Sequence, residues 1–173
     1  MSLRLKLAAL GVALVAAASA APALAHSVTV GALSLTDLWT RATPPGAPSA
    51  AGYLTITNTG KEPDRLLSAT SGAAAKGELH LMAVKDGIMT MQPVDGGIAV
   101  PAGGGVTLAP SGLHIMFITL KDGLKEGGQM PVTLTFEKAG KVDTFLHVLA
   151  VGAKGPGDAA PHDMNNMKTD APK

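Results

Sequence analysis

None of the 173 residues is a cysteine. That removes disulfide frameworks, cysteine-built zinc sites, dithiol redox motifs and the thiolate-ligated blue-copper centre in one step. Aromatic residues are nearly as scarce, with one Trp, one Tyr and three Phe, and the formal net charge is +1 with no basic run. Such a chain offers neither a stacking platform nor an electrostatic track for nucleic acid. Charged residues make up only 16% against 46% hydrophobic, which sets it apart from disordered sequences and leaves one domain of ordinary size. What the chain does have is eight methionines and five histidines.

Residues 1–25 read as an export signal. Arg4 and Lys6 precede an apolar run over 7–20, and Pro22 and Ala23-Leu-Ala25 supply a helix break and small residues for cleavage. The run is too short to span a bilayer comfortably, so no stable membrane insertion is expected once it is removed. Cleavage after Ala25 makes His26 the first residue; cuts after Ala20 or Ala23 are alternatives. Without Arg4 and Lys6, 12 basic residues face 13 acidic ones, the balance of a near-neutral exported protein.

From His26 onward the pattern is one of short strands, expected over 28–30, 38–42, 52–58, 65–70, 78–84, 87–93, 106–108, 114–120, 131–137 and 142–151. Turn signals separate them: Thr43-Pro-Pro-Gly46, Asn58-Thr-Gly60, Lys85-Asp-Gly87, Pro101-Ala-Gly-Gly-Gly105 and Lys121-Asp-Gly123. No apolar spacing holds a helical period over three turns, and the predicted fold class is an all-β sandwich. Residues 26–153 form this domain. Residues 154–173, opening with Lys154-Gly-Pro-Gly, have linker composition and are expected to be a flexible C-terminal tail.

Three predicted strands carry polarizable pairs two residues apart: His80 with Met82, Met89 with Met91, and His114 with Met116. Residues i and i+2 of a strand share a face, so each pair projects together. The Lys85–Gly87 turn folds the second pair beside the first. Imidazole and thioether donors suit Cu(I) and serve Mg, Ca or Mn poorly, since those ions want oxygen. The competing reading is that the methionines fill the core and the histidines are structural. Spacing alone does not decide between them.

The stretch from His80-Leu-Met-Ala-Val-Lys-Asp-Gly-Ile-Met-Thr-Met91 to Leu108-Ala-Pro-Ser-Gly-Leu-His-Ile-Met116 resembles the periplasmic copper chaperone family PCuAC. Ten residues separate His80 from Met91, twenty-two separate Met91 from His114, and Met116 completes the pattern. Trp39-Thr-Arg-Ala-Thr-Pro-Pro-Gly46 and Ala51-Gly-Tyr-Leu-Thr-Ile-Thr-Asn58 carry the similarity upstream, so it runs from about 33 to 151. The resemblance implies a cupredoxin-like Greek-key β-sandwich, a Cu(I) site made by His80, Met91, His114 and Met116, and no enzymatic activity. It implies a periplasmic, monomeric carrier. Its partners would be the copper-bearing subunit of cytochrome c oxidase, which holds the copper A centre, or a Sco-type copper chaperone. Met89 shares the face of Met91 and is a candidate alternate ligand. The tail residues His162, Met164 and Met167 are candidates for a second copper, as in relatives with similar extensions.

His26, if N-terminal, joins its imidazole to a free α-amino group and so offers a chelate for Cu(II). His147, within Phe145-Leu-His-Val-Leu149, is expected to be a packed structural residue. Two other functional classes stay open on the sequence: a secreted copper oxidase or monooxygenase bracing its metal with His26, and a metal-free structural sandwich.

Overall fold

A computed structural model of the chain describes residues 26–85 and 87–158. The expected signal segment, Asp86 of the 85–87 turn, and the tail residues His162, Met164 and Met167 lie outside the described residues. Eleven strands follow in order: β1 (Val28–Val30), β2 (Leu33–Arg41), β3 (Ser49–Asn58), β4 (Asp64–Thr70), β5 (Ala74–Lys85), β6 (Ile88–Pro93), β7 (Ile98–Val100), β8 (Gly105–Leu108), β9 (Leu113–Leu120), β10 (Gln129–Phe136) and β11 (Lys141–Leu149). Each of the ten expected strands is present. The additional one, β7, is three residues long between Gly97 and Pro101, too short for alternation to register. Among the described residues no helix is long and apolar enough to cross a membrane.

The strands form one hydrogen-bonded path, β6-β5-β9-β3-β2-β11-β10-β4-β7, with β1 on β2 and β8 on β3. The path folds on itself as a cupredoxin-like β-sandwich. Between its layers lies a core that includes Leu35, Leu54, Ile56, Leu66, Ile115, Phe117, Leu134, Phe136 and Leu146, all 0–2% exposed. Gly77 marks the closeness of the two layers. A Cβ there would stand 2.0 Å from the carbonyl oxygen of Ala69 in β4, so only glycine lets β5 pass.

A bulge in β2 organises the outer surface. Leu33 and Leu35 point inward, the register with β3 shifts between Thr36 and Trp39, and Asp37 takes a φ of 53°. The extra residue changes parity, so Leu38 joins the core while Trp39 faces out. There Trp39, Tyr53, Leu149 and Ala153 form a second buried cluster. The Trp39 and Tyr53 rings lie 4.5 Å apart, and the Arg41 guanidinium carbon sits 5.8 Å from each.

Arg41 Nε also donates to the Ala153 carbonyl at 2.7 Å, fastening the end of the domain to this face. Residues 154–158, expected as the start of a flexible tail, contain a short 3-10 turn (Pro156–Asp158). The Asp158 carboxylate accepts from the backbone N–H of Lys154 and Gly155.

Candidate metal centre

The outer face of the β6-β5-β9 end gathers the polarizable side chains. β5 and β9 pair antiparallel with His80 directly opposite His114 and Glu78 opposite Met116. β5 and β6 pair with Met82 opposite Met91 and Val84 opposite Met89. Directly opposed residues share a face, as do residues two apart. His80, Met82, Met89, Met91, His114 and Met116 therefore all project from one surface. The core-facing positions between them are Leu79, Ile115 and Phe117.

The two histidines are brought together. Their ring centroids are 5.9 Å apart with planes at 61°. His80 Nε2–H donates to Glu78 Oε2 at 2.8 Å, which leaves Nδ1 as its free nitrogen. That Nδ1 is buried and has no hydrogen-bond partner. His114 Nδ1–H donates to the Gly112 carbonyl at 2.9 Å, so Nε2 is the nitrogen left to bind a ligand. In each ring one nitrogen is thus fixed by protein and the other kept for an acceptor's role, the arrangement that orients metal-ligating histidine. A buried imidazole nitrogen without a partner is costly, and a metal ion removes that cost.

The methionines flank this pair on either side. Met116 lies one step from His114 toward Glu78 and is half-buried. Met91 lies one step from His80 toward the β5–β6 hairpin and is 45% exposed. Met89 is 64% exposed near the end of that hairpin, beside solvent rather than in the core. Burial therefore grades across the group, from His114 at 4% to the open Met91.

Two supporting groups escape a search for soft donors. Glu78, two residues before His80 on the same face, is the acceptor that fixes that ring. The Lys76 ammonium, hydrogen-bonded to Glu78, holds this carboxyl below the ordinary carboxylate range, and His80 adds to the effect. The i−2 spacing from a candidate ligand is the signal that points to Glu78. The Gly112 carbonyl carries no side-chain signal at all.

Among the described residues no group of three or more His, Asp or Glu side chains is placed to hold a metal ion. The side chains that share this face with the two imidazoles include the thioethers of Met82, Met91 and Met116. Two thioethers and two neutral imidazoles carry no charge, which suits a monovalent soft ion better than a divalent one.

His26 and His147 lie elsewhere. The His26 ring stacks on Phe145 with centroids 4.0 Å apart and planes at 19°, and His147 meets it edge-on at 5.9 Å. His147 is half-buried beside these rings, its centroid 5.1 Å from that of Phe145.

Comparison with known proteins places this architecture. The LpqE-like family matches residues 33–148. A protein of Leifsonia xyli subsp. xyli, named as a lipoprotein, is 38% identical over 104 residues, which cover 60% of this chain and 61% of that relative's length. No residue of the present chain is a cysteine, so none can carry a thiol-linked lipid. Among solved structures, the copper-bound PCuAC domain from PmoF2 is similar with a TM-score of 0.62 and 29% identity, covering 72% of this chain and 98% of that domain. The apo PCuAC domain from PmoF1 matches equally well in score and identity. The Cu(I) form of DR1885 from Deinococcus radiodurans follows with a TM-score of 0.52 and 27% identity, over 71% of this chain and 80% of that one. A chain whose β-sandwich carries its soft donors on one outer face, matched over more than half its length by one family model, belongs to the LpqE-like family and has the fold of PCuAC domains.

Proposed function

We propose that this chain is a copper chaperone that carries Cu(I) outside the cytoplasm on His80, Met91, His114 and Met116. The observation that carries the reading is the opposed pair His80–His114, each ring anchored through one nitrogen. Copper-bound structures among the similar domains support the choice of metal. Two neutral imidazoles and two thioethers need lose no proton that a thiolate would, and they resist oxidation to a disulfide in an oxidising compartment.

The grading of exposure suits hand-over. His114 anchors the ion from within, while Met91, on an exposed hairpin, is the ligand an incoming acceptor displaces first. The acceptor implied is the copper A centre of cytochrome c oxidase, directly or through a Sco-type chaperone, and the compartment is the periplasm. No general base or nucleophile is required for binding and release.

Competition against chelators tests the ligand set. Cu(I) should bind far more tightly than Zn(II), and equal affinities would remove this assignment. Mixing the Cu(I)-loaded chain with a copper-free oxidase subunit should move copper to the subunit. Retention of all copper by the chain would remove the delivery role while leaving the binding site in place.

A further inference from the structure

His26 and His147 are separated by almost the whole domain in sequence and meet because of how one edge of β2 is shared. β1 occupies the first half of that edge, pairing Val28 with Leu35 and Val30 with Leu33. β11 occupies the second half, running parallel with His147 beside Trp39 and Leu149 beside Arg41. The handover falls at the Asp37 bulge. Extending β1 backwards from Val28 therefore delivers His26 to the place where β11 carries Phe145 and His147.

The local contacts define the His26 ring. Its face lies on Phe145, and its Nε2 is 3.1 Å from Thr144 Oγ1. That contact engages Nε2 and not Nδ1, the ring nitrogen nearer the backbone. Nδ1 and an α-amino nitrogen close a six-membered chelate ring around a metal ion whenever histidine is the first residue. His147 stands edge-on at 5.9 Å, the same centroid separation as His80–His114. Metal–imidazole bonds of about 2.0–2.1 Å fit an ion between two rings so spaced.

We propose that His26 and His147 form a second metal site, made only of nitrogen donors, that takes Cu(II). The donors are His26 Nδ1, the His26 α-amino group after cleavage behind Ala25, and the His147 imidazole. Nitrogen donors without thioethers favour the divalent ion, and among first-row divalent ions copper binds such sets most tightly. The site therefore differs from the His/Met group in its preferred oxidation state, and it stands whether or not that group is a chaperone site.

The test uses the full processed chain, beginning at His26 and carrying His162→Ala so that the tail supplies no imidazole. One equivalent of Cu(I), which is silent in electron paramagnetic resonance, is added anaerobically, and Cu(II) is then titrated. The expected spectrum shows nitrogen hyperfine structure from the Cu(II) ion. His26→Ala and His147→Gln should each weaken Cu(II) binding at least tenfold and leave Cu(I) affinity unchanged. A Gly-Ser extension ahead of His26, which removes the α-amino donor, should weaken Cu(II) by a similar factor. His26→Ala alters a half-exposed residue at the chain end, so it reads out the site even if His147→Gln fails to fold. Unchanged Cu(II) affinity in His26→Ala, or in a folded His147→Gln chain, would overturn the site and leave these rings as packing. Unchanged affinity in the extended chain would overturn the chelate.

Discussion

Two histidine pairs have ring centroids 5.9 Å apart, and their surroundings differ in kind. Around His80 and His114 the same-face neighbours are Met82, Met91 and Met116, with Glu78 and the Gly112 carbonyl holding one nitrogen of each ring. Around His26 and His147 the neighbours include Phe145 and Thr144. On the proposed reading equal spacing would give two different chemistries, because the donors that join the imidazoles, thioether in one case and amine in the other, select the oxidation state. Between the pairs, on the same outer surface, Trp39 and Tyr53 form a buried divider, their rings tilted by 37°. Tyr53 follows Gly52, which pairs with Ile115 next to His114, and Trp39 pairs with His147.

The largest expected effect breaks the two apart. His114→Ala should lower Cu(I) affinity by at least about a hundredfold, the upper end of what loss of a mere supporting partner costs, and leave Cu(II) binding at His26 and His147 unchanged. Chelator competition for Cu(I) and paramagnetic resonance for Cu(II), on the same protein, read both. Parallel losses of the two ions would mean that a single site serves both, and the comparison would collapse.

A smaller change sharpens it. Glu78 accepts from His80 Nε2, and on the proposed reading it is a positioning residue that leaves Nδ1 to bind. Glu78→Ala should weaken Cu(I) by about tenfold, as loss of a ligand's supporting partner does. Glu78→Gln keeps an acceptor oxygen and should restore most of the affinity. Equal affinities for wild type and Glu78→Ala would show that the ring orientation is set by packing alone. Cu(II) binding should respond to neither variant.

The two pairs also differ in how far the sequence discloses them. His80-x-Met82, Met89-x-Met91 and His114-x-Met116 announce a shared face through i, i+2 spacing, and the hairpin signal at 85–87 supplies the pairing of β5 with β6. The β5–β9 register that sets His80 against His114 is tertiary information. So is the opposite flanking of the pair by Met91 and Met116. β5 itself begins at Ala74, earlier than its pattern suggests, since Ala73-Ala-Ala-Lys-Gly77 is poor in strand-forming residues and is held by β9 and the close passage of β4. The meeting of His26 with His147 was not legible. It depends on a parallel β2–β11 pairing that no local pattern encodes, and on a bulge at Asp37 that carries no glycine to signal it.

The smallest effect separates loss of metal from loss of fold in acid. Imidazole binds metal only when neutral, so acid should empty both proposed sites, and a failing fold would imitate this. Asp64 sets part of the acid limit of the fold. It is 8% exposed, where β4 meets the turn after β10. Its Oδ1 accepts from the backbone N–H of Arg65 at 2.7 Å and of Lys138 at 2.9 Å, and its Oδ2 accepts from Ala139 at 3.0 Å. Burial pushes its carboxyl up, but these backbone donors and the Lys138 charge outweigh burial and hold it below the ordinary value of 3.8. A carboxyl lowered in the folded state is deprotonated there while the unfolded chain still binds a proton. Its contribution is therefore full above 3.8 and falls away as the pH drops through the lowered folded value. Asp64→Asn should cost about 1–3 kcal/mol at pH 7, because one oxygen and the charge are lost from a buried acceptor. In denaturant titrations of the metal-free chains, the gap between wild type and Asp64→Asn should close as the pH falls below 3.8. A gap of constant size across that range would mean that Asp64 contributes through shape and not through charge. With the gap closing as expected, any copper released well above that pH from an Asp64-intact chain has left its ligands while the sandwich still stands.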